Sequence, residues 1–264
     1  MKKIILLTQP FHLVTLSPWP LLTSFSIMIM LMGVINWFNY YMIYMNIYGL
    51  VLLIFCMFQW WRDVIRESKN QGFHSLMVIS GLKLGMILFI ISEIFFFFSI
   101  FWCYFHMFLS PSVEIGGYWP PSNIYSFNPY YIPLLNTIIL LSSGISITWT
   151  HCSLLMMKKI QMIFSLLITI ILGVIFSFLQ YKEYLESSFS ISDSIYGSVF
   201  FLSTGFHGFH VIIGTIFLMV NLFRMLNNDF SSIHHFGFEA AAWYWHFVDV
   251  VWLFLYISIY FWSW

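Results

Sequence analysis

Charge is what this chain has least of. Asp, Glu, Lys and Arg make up 8% of its 264 residues, against roughly 25% in ordinary globular domains. So few charges cannot clothe a water-facing surface, which excludes a soluble globular protein and leaves an integral membrane protein. Ten acidic and ten basic residues cancel, so nucleic acid is not an expected partner. Cysteine is scarce as well: Cys56, Cys103 and Cys152 lie far apart. That spacing excludes a disulfide framework and a thiolate metal site, and each reads as a small apolar residue. No GxSxG elbow and no Gly-rich phosphate loop after a strand is present, so nucleophilic and nucleotide chemistry have no foothold. There is also no fixed-period repeat and no soluble domain.

What is abundant is apolar length. Hydrophobic residues reach 61%, with 31 Phe alone. The central stretch is GLKLGMILFIISEIFFFFSIFWCYF, 81–105, and about 20 such residues cross the ~30 Å hydrocarbon core. Lys83 marks one end. Glu93 lies about 15 Å further along the axis, near the midplane. A carboxyl there costs roughly 2.5–3.5 kcal/mol on insertion scales. Two readings stand: a protonated acid hydrogen-bonded to a neighbouring helix, or a proton-relay or site-shaping carboxyl facing the bundle interior.

Seven spans follow from the pattern, at about 21–38, 42–60, 81–105, 133–151, 160–181, 195–226 and 238–261. The N-terminal MKKIILLTQPFHLVTLSPWP is basic, but Pro10, Pro18 and Pro20 interrupt it, and no signal or transit peptide is read there. Charge placement tests the count. Lys2, Lys3, Arg62, Arg66, Lys69, Lys83, Lys158, Lys159 and Arg224 fall on the N-terminal side, and Lys182 alone falls opposite, with Glu114, Glu183, Glu186 and Asp193. Such asymmetry puts the N-terminus on the cytoplasmic or matrix side.

Several polar residues sit inside spans. His207 and His210 are three apart and share a helix face, as do His246 and Asp249, with Glu239 seven before His246. The expectation is a buried hydrogen-bond network between the last two helices, made possible by Gly205, Gly208 and Gly214. The Glu-x-x-His pairing of bundle metal sites is missing, so no metal is expected on His207, His210, His234, His235 or His246. Arg62, Asp63, Arg66 and Glu67, beside Trp60 and Trp61, form a charged collar. It reads either as a stop-transfer anchor or as a phospholipid headgroup site.

Long ordered runs then carry a resemblance: SPWPLLTS, QWWRDVIRES, SGLKLGMILFIISEIFFF, GGYWPPSNI, PLLNTIILLSSGISITW, TGFHGFHVIIGTIFL and HHFGFEAAAWYWHFVDVVWLFLYISIYFW. Together they resemble the subunit III family of cytochrome c oxidase, the mitochondrial aa3-type haem–copper oxidase. The resemblance implies an all-α membrane protein of seven transmembrane helices. A two-helix unit (about 15–70) and a five-helix bundle (about 75–264) are separated by a V-shaped, lipid-filled cleft. It implies a non-redox core subunit of complex IV in the mitochondrial inner membrane, N-terminus in the matrix, that stabilises the catalytic subunit and holds structural lipids. Implied partners are subunits I and II, accessory subunits and phospholipids, with haem a and copper in the partner subunits and no cofactor here. Glu93 matches the family's membrane-embedded carboxyl. Trp61, Arg66, Glu67, His74 and Arg224 match phospholipid positions. Lys83 stands where relatives carry Arg, which keeps the charge but weakens bidentate phosphate binding.

Overall fold

A computed structural model describes residues 11–264. Lys2, Lys3 and Pro10 lie outside the described residues. The described residues are all-helical, with seven helices long and apolar enough to span a membrane: α1 (Trp19–Tyr40), α2 (Tyr44–Lys69), α3 (Leu76–Leu109), α4 (Ile132–Leu155), α5 (Lys159–Glu186), α6 (Ile195–Leu226) and α7 (Phe236–Leu255). A π-helical turn, Tyr256–Phe261, finishes the last span.

The spans stand where the apolar pattern puts them, but three run further. The charged collar continues α2 as helix to Lys69. α3 has 34 residues, about 50 Å at 1.5 Å per residue, well beyond the hydrocarbon core. Gly81 and Gly85 do not break it. α5 carries on through Lys182 and Glu183 to Glu186, so residues read as a polar loop are a last helical turn.

The chain forms two compact units, Met1–Leu82 and Lys83–Trp264. The division falls inside the continuous α3, whereas the sequence placed it in the preceding loop.

In the first unit α1 pairs with α2 through their glycines. A Cβ on Gly33 would collide with the backbone of Asn46, and one on Gly49 with the backbone of Met30. Between apolar spans in lipid, burial supplies no drive for association, and close backbone approach supplies packing instead. The link 41–43 is tight: Tyr41 takes a left-handed conformation (φ 56°) and its N–H donates to Trp37 O. At the other end the Trp19 indole N–H donates to Asp63 Oδ2 at 2.7 Å.

The second unit has a dense core on α4–α7. Hydroxyls bond α4 to α5, with Ser146 Oγ to Thr169 Oγ1 at 2.8 Å and Thr150 Oγ1 donating to Ser165 Oγ at 2.8 Å. Trp245 is fully buried and its indole N–H donates to Ser143 Oγ at 2.8 Å. It fits between two glycines: a Cβ on Gly173 would stand 2.7 Å from its ring and one on Gly214 2.9 Å. The last helix is mostly buried, whereas α3 buries only Phe97, Ile100 and Tyr104.

Candidate functional site

Glu93 projects from the middle of α3 toward α6. Its Oε2 lies 3.0 Å from His210 Nε2. The other ring nitrogen, Nδ1, donates to Phe206 O at 2.6 Å. With Nδ1 committed as a donor, a neutral His210 has only a lone pair at Nε2, and Glu93 supplies the proton. If His210 is charged, Glu93 is the carboxylate. Either way one proton is shared, and the pair is neutral as a whole, which is the form that low-dielectric surroundings favour. Phe97, Tyr244 and Phe247 surround the imidazole at ring distances of 5.2, 6.1 and 6.0 Å. The side chain of Glu93 remains 25% exposed.

The remaining intramembrane polar residues do not join this pair. His207 donates from Nε2 to Val248 O at 3.2 Å, packed on Phe176 and Trp252. His246 Nδ1 and Asp249 Oδ2 are 3.8 Å apart, too far for a hydrogen bond; Asp249 instead abuts α4 at Gly144. Glu239 lies at the start of α7, where Lys83 Nζ meets its Oε2 at 2.7 Å and His235 Nε2 meets its Oε1 at 3.3 Å. The expected single network of His207, His210, Glu239, His246 and Asp249 is therefore three separate arrangements plus the Glu93 pair. Seven residues of helix place Glu239 about 10 Å from His246 along the axis, and the partners come from α3, α4 and the backbone. Of the three glycines singled out, Gly214 alone is pressed by a neighbour; Gly208 faces open space and Gly205 has a single contact at 3.7 Å.

In the first unit, the collar residues Asp63, Arg66 and Glu67 line an open cavity of about 300 Å³, together with Thr15, Trp19, Trp60, Gln71 and others. Glu67 is held by His12 Nε2 at 3.1 Å and by the Thr15 hydroxyl at 3.2 Å. Asp63 is held by Trp19 and Arg62. Arg66 is the least engaged charge, its side chain 58% exposed and 3.9 Å from Asp63. Trp61 is exposed, and Trp60 lines the cavity in its place.

In the second unit, Arg224 lies 4.3 Å over the Phe230 ring, wedged so closely on Gly237 that a Cβ there would collide with it. It staples the end of α6 to the loop before α7. In that loop, burial first and the charge of Arg224 second push His234 below the ordinary imidazole range.

Sequence reading missed two features. Glu183, taken as a loop acid, is fully buried near Gln180 and Tyr260, and its i, i+3 spacing from Gln180 was the available signal. His151, taken as the end of the fourth span, stands with His235 and Glu239, their ligand atoms all within 4.8 Å of one another.

Comparison with known proteins follows the same lines. The family described as Cytochrome c oxidase subunit III matches residues 9–264. Relatives named Cytochrome c oxidase subunit 3 include one from Aedes aegypti, 57% identical over 97% of this chain and 97% of the relative. Those from Mus musculus and Osphranter robustus are 57% and 56% identical, each over 97% of this chain and 98% of the relative.

Proposed function

The chain belongs to the cytochrome c oxidase subunit III family, and from that premise we propose that it is a non-redox core subunit of a mitochondrial inner-membrane oxidase. Its N-terminus faces the matrix. It steadies the catalytic subunit and holds structural phospholipids, while subunits I and II carry haem a and copper and do the electron transfer. The observation that carries this reading is the family match over nearly the whole chain. A chain with this reach of identity presents its relatives' packing surfaces along its full length.

His207 Nε2 is committed to a backbone carbonyl, and both nitrogens of His210 are engaged. Of the HxxH pair only His210 is fully engaged, since His207 Nδ1 is buried with no hydrogen-bond partner among the described residues. The lipid role is supported by α1, α2 and α3, which bury few of their residues and leave broad apolar faces for acyl chains and partner helices. Arg66, at the rim of the collar cavity, is a forked donor suited to a phosphate.

The test is copurification. The tagged chain should bring down haem a absorbance at one chain per oxidase, and chromatographic removal of the chain should leave the haem spectrum while shortening catalytic lifetime. Haem bound by the isolated chain, or proton flux through it alone in liposomes, would overturn the reading. Arg66→Ala should lower the phospholipid that mass spectrometry counts per complex, with haem spectra unchanged. Unchanged lipid content would remove Arg66 from the headgroup role.

A further inference from the structure

We propose that His151, His235 and Glu239 form a zinc site in the second unit, where α4 ends and α7 begins. The donor set is two imidazoles and one carboxylate, which suits zinc with a fourth position left to water. The three ligand atoms lie within 4.8 Å of one another. Around a tetrahedral ion with bonds of about 2.0–2.2 Å, neighbouring ligand atoms stand about 3.4 Å apart. His235 Nε2 and Glu239 Oε1 are already at 3.3 Å, so an adjustment on the order of 1 Å by His151 closes the site.

Three details point to an ion and not merely to packing. His235 donates from Nδ1 to Ser231 O at 3.1 Å. That bond fixes the tautomer, so in neutral His235 the Nε2 lone pair faces the Glu239 carboxylate. Two lone pairs at that distance repel unless a proton or a cation stands between them, and a backbone carbonyl on the far nitrogen is the usual support of a metal-bound imidazole. Second, His151 Nε2 is buried and has no hydrogen-bond partner among the described residues, and such an orphan is destabilising unless something fills its valence. Third, each ligand is held from a different side. His235 caps the start of α7, Glu239 sits one turn on, and His151 comes from the end of α4. Lys83 steadies the other carboxylate oxygen, Oε2, at 2.7 Å. It is also the charge that an incoming zinc ion must tolerate or displace. Sequence reading weighed His235 beside His234 and expected no metal there; the fold pairs it with His151.

The test uses the purified oxidase assembly, dialysed against chelator-buffered zinc at micromolar free ion, with metal counted per haem. Haem content certifies assembly, and differences between variants cancel zinc bound on other subunits. The wild type should hold one more zinc per complex than His235→Gln or Glu239→Gln. Its zinc-edge absorption spectrum should show imidazole nitrogens at about 2.0–2.1 Å. Lys83→Met removes the competing cation and should tighten binding about tenfold. Equal zinc content in the wild type and both ligand variants would overturn the proposal. If the ligand variants fail to assemble, Lys83→Met decides it: a dissociation constant unchanged from wild type would show that zinc binds elsewhere.

Discussion

Replacing Trp245 by Ala should destabilise the protein by about 3–5 kcal/mol, the range for large aromatic deletions in packed cores. Thermal denaturation of the assembled complex, followed by loss of this subunit, would measure it. The indole is wedged between Gly173 of α5 and Gly214 of α6 and donates to Ser143 of α4, so its loss opens three helix contacts at once. Bilayer does not refill the gap as water would, and the penalty is mainly lost packing, since the Ser143 hydroxyl keeps its bond to Leu140 O at 2.6 Å. Gly173→Val should be similarly damaging from the opposite direction. Its side chain would have to enter space already held by Trp245 and Thr215, and overpacking of that kind costs about 1–3 kcal/mol or more. A Trp245→Ala complex melting within a degree of wild type would show that α7 is held by partner subunits and not by this wedge.

His210→Leu should cost about 1–3 kcal/mol, the usual penalty for leaving a buried polar group without its partner. Glu93→Gln should cost well under half of that. The reason is the direction of the hydrogen bonds. Phe206 O fixes the Nδ1 proton of His210, and the Gln amide can donate to the Nε2 lone pair as the protonated carboxyl does. Leu can neither donate nor accept, and Glu93 then faces hydrocarbon alone. Melting temperatures of the two variant complexes give the comparison. If Glu93→Gln proved as damaging as His210→Leu, a charged pair and not a shared neutral proton would be the resting form, because Gln cannot serve His⁺ as a carboxylate does.

The apolar arithmetic made most of the architecture legible. Each run long enough to span became a helix, because in hydrocarbon the backbone can satisfy itself only within a helix or a closed barrel. Helix ends were harder to see. Nothing in KEYLE halts α5, and the collar after Trp61 favours helix as strongly as it favours a surface. Glu93 announced itself by its isolation, but the identity of its partner did not. His210 is 117 residues away, and periodicity within α6 reports which residues share a face without saying what that face meets. The same limit hid His151 from His235 and joined Glu239 to a network it does not enter. Spacing along one helix is a local quantity, whereas a site shared by several helices depends on how they pack.

The links 41–43 and 156–158 also bear on how the protein reaches the membrane. Tyr41 and Met157 turn the chain back with positive φ, and the Lys158 N–H donates to Ser153 O to close the second link. Links this short cannot be threaded across a bilayer after their first helix has settled. α1 with α2, and α4 with α5, must therefore leave the translocation machinery as paired hairpins, while α3 enters singly ahead of its long following loop. An insertion error in either hairpin would lose or gain two crossings together. Every later segment would keep its orientation, so a misinserted molecule would pass a test of which side its C-terminus faces and still lack a hairpin.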